Sequence, residues 1–188
     1  IAFANELSLI CDKSDINVWE LIKLANYHPR VNILKPGCGV GGHCIAVDPY
    51  FIVSAFKEVS KIIGAAREVN NYKTLWCIEK IKNAIIEFES TSKYKPKIAI
   101  MGLSFKPDID DLRESPAKNI AEVLLKDCPN TEFFIVEPNI PSHDFFKISK
   151  YKESIENSDI LVFLVAHKEF KISDLDEKKQ VLNFCGLS

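Results

Sequence analysis

Several features that mark specialised protein classes are missing from this chain. An excess of one charge is absent: 24 Lys and Arg against 26 Asp and Glu leave a formal net charge of −2, with the basic residues scattered. Nucleic acid and anionic membrane surfaces are therefore not expected partners. Long apolar runs are absent too. The longest, Ile160 to Ala166, is far too short to cross a bilayer. The six cysteines, at 11, 38, 44, 77, 128 and 185, form no C-x-x-C pair. Their irregular spacing argues against a disulfide scaffold and against a thiol-redox protein. With no signal peptide visible, reduced thiols in the cytoplasm are the expectation. No internal repeat or low-complexity segment is present.

Glycine is also scarce, and its distribution is uneven. Of seven glycines, four lie between positions 37 and 42, in Pro36-Gly-Cys-Gly-Val-Gly-Gly-His-Cys-Ile-Ala-Val-Asp-Pro-Tyr50. Such a run allows backbone to approach a ligand closely and to take positive φ. It delivers a thiol, Cys44, followed four residues later by a carboxylate, Asp48. A thiolate there can attack an aldehyde, and hydride loss from the adduct leaves a thioester for water to hydrolyse. Asp48 is placed to order that water, or to cap a helix opening at Pro49. Because His43 and Cys44 are adjacent, their side chains are expected to diverge, which gives His43 a role in loop structure rather than in a Cys–His pair. Gly37-x-Gly39-x-x-Gly42 satisfies the dinucleotide fingerprint only as a pattern, since no strand precedes it and no helix opens from it. Cys38, His43 and Cys44 lack the ligand-pair spacing of a zinc site, so no metal is expected.

With 47% hydrophobic and 27% charged residues, the composition is that of an ordinary globular protein with a sizeable core. The chain begins at Ile1, inside a helical pattern with no start signal, and is expected to be a piece of a longer protein. Residues 1–12 read as a helix. Residues 14–26 form another, with Asn17 and Glu20 resembling a capping box. Residues 27–47 are loop, and a short helix is expected near 49–58. Residues 60–89 carry a long helical pattern with apolar positions 62, 63, 66, 69, 76, 78, 81, 85 and 88. A helix of about 28 residues would be roughly 40 Å long, a length suited to joining domains or pairing subunits. After a polar linker at 90–96 the texture changes to strands at 97–103, 131–136, 160–165 and 181–184. These alternate with helices from Ser115-Pro116 to about Lys126 and at 151–156. The expected class is α/β: a helical unit, 1–89, carrying the thiol loop, then a small doubly wound parallel sheet, 97–188.

Ligands of open α/β sheets bind beyond the carboxyl ends of the strands. Lys106 and Arg113, after the first strand, are thus placed to meet an anionic nucleotide sugar or pyrophosphate, or else to pair with Asp110 and Asp111. Arg30 stands between a helix end and the glycine loop, free to grip a phosphate or to cap that helix. Glu137-Pro138-Asn139 reads as a plain turn.

These motifs in this order resemble the UDP-glucose/GDP-mannose dehydrogenase family. The resemblance rests on the loop 36–50, on Ala66-Arg-Glu-Val-Asn70, and on Gly102-Leu-Ser-Phe-Lys-Pro-Asp-Ile-Asp-Asp-Leu-Arg-Glu-Ser-Pro116. Ala2 to Leu7, Asn17 to Ile22 and His28 to Leu34 are similar to the branch that oxidises UDP-N-acetyl-D-mannosamine to its uronate, with UDP-N-acetylglucosamine the rival substrate. The resemblance implies a central helical domain that dimerises and a C-terminal domain that binds the UDP-sugar. In the family, an N-terminal NAD-binding domain and a catalytic lysine and asparagine come before the position of Ile1, so this chain alone is not expected to transfer hydride.

By the same resemblance Cys44 is the nucleophile of a four-electron oxidation using two NAD, and Asp48 assists water attack. The loop with Gly37, Gly39, Gly41, Gly42 and His43, together with Phe105 and Lys106, would hold the substrate, and Arg113 would meet the cofactor pyrophosphate. Arg30 would reach substrate in the neighbouring subunit of a homodimer formed through the helix at 60–89. Cys38 and Thr74 stand at or near positions where prolines are more usual. A non-catalytic binding or dimerisation module is the competing reading.

Overall fold

The computed structural model describes residues 1–172, 175–176 and 178–187. The amino-terminal part is helical: α1 spans Ala2–Lys13, α2 Val18–Ala25, α3 Asp48–Ala55 and α4 Lys61–Thr91. The sheet part follows as β1 Lys97–Met101, α5 Pro116–Asp127, β2 Glu132–Val136, α6 Tyr151–Asn157, β3 Ile160–Phe163 and β4 Gln180–Asn183. No described helix is long and apolar enough to cross a membrane.

Local chemistry fixes most of the boundaries. Helix α2 starts at Val18 rather than at 14, because Asp15 takes a left-handed φ of 53° and breaks the chain after α1. Asn17 then caps it, its side-chain oxygen accepting from Trp19 and Glu20 N–H at 2.9 and 3.2 Å; this satisfies two amides that no helical carbonyl reaches. Ser115 caps α5 by accepting from Lys118 N–H, with Pro116 at the first helical position where its missing N–H costs nothing. The same hydroxyl donates to the Leu103 carbonyl at 2.6 Å, so one side chain ties the start of α5 to the end of β1. Strand β1 stops at Met101 because Gly102 turns the chain with φ 94°. An added Cβ there would lie 2.5 Å from Val165 Cβ.

The four strands are all parallel, in the order β2-β1-β3-β4. Alternation sends Ile98, Ile100, Ile160 and Val162 to one face, where α5 supplies Ile120, Ala121 and Leu124 and α4 supplies Ile78, Ile81 and Ile85. It sends Ala99, Met101, Leu161 and Phe163 to the other, against Phe170 and α6 residues Tyr151 and Ile155. Helices thus cover both faces, the doubly wound α/β arrangement expected. The direction of winding reverses between β1 and β3, and the crevice beyond their carboxyl ends is where such sheets bind ligands.

Helix α4 has 31 residues, a length of roughly 46 Å at 1.5 Å per residue. Its carboxy-terminal half buries the expected apolar face, whereas its first half departs from expectation. Ile62 is 86% exposed, while Arg67, Asn70, Lys73 and Thr74 are buried. For Asn70 and Lys73 the reason is polar pairing, whereas Arg67 bonds Asn71 through Nη2 and leaves Nε and Nη1 buried without a partner. Asn70 Oδ1 accepts from Asn5 Nδ2 on α1 at 2.9 Å, and Lys73 Nζ donates to Ser8 Oγ at 2.7 Å while lying 3.7 Å from the Trp76 ring centroid. Buried polar groups are tolerated where partners meet them.

Candidate active site: the thiol loop and its anchors

The loop from Pro36 to Val47 is irregular but held at several points. Asn5 Oδ1 accepts from Gly37 N–H at 2.9 Å. Thr74 Oγ1 donates to the Cys38 carbonyl at 2.8 Å, and Gly42 N–H donates to the Arg113 carbonyl at 3.0 Å. The Cys38 side chain enters the core shared by α4, α5 and the sheet. Burial pushes its thiol up to about 12, so it is an anchor and not a nucleophile.

The glycines have a structural reason beyond openness to a ligand. An added Cβ on Gly39 would lie 2.5 Å from Thr74 Oγ1, and one on Gly41 would lie 2.5 Å from the Glu114 carbonyl and 2.7 Å from Phe105 Cβ. Side chains at these positions would push the loop off the β1–α5 segment. Gly37 is less crowded, its nearest neighbour being the Gly39 carbonyl oxygen at 3.9 Å.

Gly42, with φ 89°, reverses the chain into a turn closed by Val47 and Asp48 N–H, which both donate to the Cys44 carbonyl, at 3.0 and 2.8 Å. In that turn the side chains of His43 and Cys44 converge. Cys44 Sγ lies 2.9 Å from His43 Nδ1, with both residues exposed. The expected divergence of these neighbours is therefore corrected. It holds for extended backbone, where successive side chains alternate, but not for a turn. Asp48 is the first residue of α3 and is exposed.

His43 lines a cleft of about 960 Å³ together with Asp111, Arg113, Lys118, Asn139 and Ile140. Arg113 is forked onto Asp111, Nε reaching both carboxylate oxygens at 3.0 Å and Nη2 reaching Oδ2 at 2.6 Å. These bonds hold the Asp111 carboxyl down at about 2, with a smaller contribution from His43. Arg113 is raised, first by its bond to Asp111, with a lesser share from Cys44. Lys106 is exposed and makes no ion pair among the described residues, and Phe105 is half-buried against Gly41 and Gly42. Arg30 is exposed in the turn after α2 and does not line this cleft.

The floor beneath the β1–α5 loop is a buried polar network that the sequence reading missed. Glu137, expected in a plain turn, is 2% exposed and His167 fully buried. Glu137 Oε2 accepts from Leu103 and Ser104 N–H at 2.7 and 3.0 Å, and from His167 Nε2 at 3.1 Å. His167 Nδ1 accepts from the Asp108 N–H at 3.0 Å, which places the imidazole proton on Nε2. Burial would raise the Glu137 carboxyl, but hydrogen bonds from His167 and Leu103 prevail and hold it at about 2. Asp108, His167 and Glu169 lie close enough to hold a metal ion. The His167 nitrogen facing Asp108 is already engaged, however, so they make no open donor set.

Family models match twice. The central domain of the UDP-glucose/GDP-mannose dehydrogenase family covers residues 1–72, and the UDP binding domain of that family covers residues 99–184. UDP-N-acetyl-D-mannosamine dehydrogenase of Campylobacter jejuni is 51% identical over 98% of this chain and 45% of its own length. The enzyme of that name from Escherichia coli K12 is 51% identical over 96% of this chain and 44% of its own. A solved structure of the UDP-N-acetyl-mannosamine dehydrogenase of Staphylococcus aureus superposes with a TM-score of 0.79 at 37% identity, over 97% of this chain and 43% of that one. The chain thus spans less than half the length of the relatives it matches. Two family models in sequence order, the parallel sheet and the thiol loop lead to one conclusion: this chain belongs to the UDP-glucose/GDP-mannose dehydrogenase family.

Proposed function

We propose that this chain is the nucleophile-bearing and UDP-sugar-binding part of an NAD-dependent dehydrogenase that oxidises UDP-N-acetyl-D-mannosamine to UDP-N-acetyl-D-mannosaminuronate. The observation that carries this reading is the 51% identity to relatives bearing that substrate's name, sustained over 98% of the chain. Residues 1–89 form the unit that presents the thiol, and residues 97–188 the unit that grips the nucleotide. Cys44 is the nucleophile and Asp48 orders the hydrolytic water. The loop with Gly37, Gly39, Gly41, Gly42 and His43, together with Phe105 and Lys106, holds the sugar and diphosphate. The buried Glu137–His167 pair keeps the Lys106 loop in place.

The glycine loop does not fit as the phosphate cradle of a dinucleotide. The glycine loop has no strand before it, and Gly39 and Gly41 are filled by protein contacts. A nicotinamide dinucleotide, when bound, supplies the hydride acceptor. The part we assign to this chain is limited to Arg113 facing its pyrophosphate. Assembly as a homodimer is supported by apolar side chains exposed on the helical unit, such as Phe3, Phe51 and Ile62 at 64, 70 and 86%. Arg30 then reaches the substrate of the neighbouring subunit. Cytoplasmic residence is part of this reading, with none of the six cysteines paired in a disulfide.

Calorimetric titration of this chain tests the reading. UDP and UDP-N-acetyl-D-mannosamine are expected to bind, with Lys106→Ala weakening binding by about tenfold through loss of a charge-assisted bond. Tighter binding of UDP-N-acetylglucosamine would reassign the epimer. Absence of binding by any uridine nucleotide would overturn the proposal.

A further inference from the structure

We infer that His43 is a catalytic residue, the proton acceptor for the Cys44 thiol during its addition to the aldehyde. The inference rests on the proposal that Cys44 is the nucleophile. The carrying observation is the 2.9 Å separation of Cys44 Sγ and His43 Nδ1 at an exposed site, within hydrogen-bond reach for transfer. A thiol reacts as its thiolate, so addition needs a base at sulfur. Hydrolysis needs a base at water, the task proposed above for Asp48. Asp48 opens α3, its N–H donating to the Cys44 carbonyl, and is available for the second task. The two steps therefore use separate groups.

The addition balances without any redox partner. The Cys44 sulfur forms a bond to the aldehyde carbon, and the carbonyl π pair moves onto oxygen. The thiol proton passes to His43 Nδ1 and then to the new alkoxide, leaving a neutral thiohemiacetal and a neutral imidazole. Charged side chains surround the pair. Asp111 stands near His43 on the β1–α5 segment, and its ionised carboxylate is pinned by Arg113. Arg113 is close enough to Cys44 for the two to interact electrostatically. Asp110, Glu114 and Lys118 also line the cleft that His43 faces.

The test uses iodoacetamide on this chain, with alkylation of the Cys44 peptide followed by mass spectrometry. At about pH 7 the wild-type thiol is expected to react about tenfold faster than in His43→Gln, with the two rates converging at about pH 10, where any accessible thiol is ionised. Superimposable profiles would overturn the inference. A second measurement needs no substitution at His43. The His43 imidazole is titrated by NMR in the folded wild-type chain before and after Cys44 is S-methylated. A midpoint displaced by about one pH unit on methylation is the expected result, and an unmoved midpoint refutes the pairing. Neither readout depends on substrate, so failure of uridine-nucleotide binding would remove the function proposed above and leave this pair intact.

Discussion

Glu137 and His167 meet at 3.1 Å beneath the carboxyl edge of the sheet, one at the end of β2 and the other beyond β3. Between them they engage the backbone amides of Leu103, Ser104 and Asp108. The segment carrying Lys106 is thus held at both ends by one buried pair.

The state of Glu137 makes stability depend on pH. Its carboxyl is held at about 2 in the fold, below the value of about 4.3 for a free glutamate. A depressed acid contributes stability above its unfolded pKa and loses it as pH falls through the folded one. Glu137→Gln is expected to cost roughly 3–5 kcal/mol at neutral pH. That difference should shrink between about pH 5 and pH 2 as the wild-type advantage is lost. Urea midpoints of both proteins across this range measure it, and a gap independent of pH would contradict the assigned ionisation.

Asn5 joins α1 to both α4 and the thiol loop. Asn5→Ala leaves the Gly37 amide and the Asn70 side-chain oxygen Oδ1 without these partners, at a cost of about 1–3 kcal/mol. Amide exchange at Gly37 should accelerate, and unchanged protection there would show that the anchor lies elsewhere.

Gly41 faces the Glu114 carbonyl and Phe105 with no room for a methyl group. Gly41→Ala is expected to lower stability by about 1–3 kcal/mol through forced displacement, and to weaken uridine nucleotide binding by moving Phe105. Thermal melts and calorimetry read the two effects separately.

Asp111 occupies Arg113, and the pair lies on the surface, where such bridges contribute little to stability. Asp111→Asn should leave the melting temperature unchanged and raise the affinity for inorganic pyrophosphate about two- to fivefold, through the released guanidinium. An unaltered affinity would mean that Arg113 meets no anion.

What was legible in the sequence was local. Ser115-Pro116 announces the start of α5, the clustered glycines mark the loop, and the run at Ile160 marks a strand buried on both faces. The missed features join distant positions. Asn5 meets Asn70 and Ser8 meets Lys73, each pair 65 residues apart, and Glu137 meets His167 across 30. A signal existed on α4, where Arg67, Asn70, Lys73, Thr74 and Cys77 recur at helical spacing on one buried stripe. Polar residues so arranged need partners. The His43–Cys44 contact had no such signal, because it depends on a turn set by Gly42.

One consequence follows from the core common to α4, α5 and the sheet, into which the thiol loop sends Cys38. The Cys44 turn and the Lys106 loop are thereby fixed to a single solid body. Under the function proposed above, their separation would work as a gauge: a nucleotide sugar anchored by its uridine diphosphate would be measured along its length, and a carbon that falls short of the sulfur would be passed over however well the base is held.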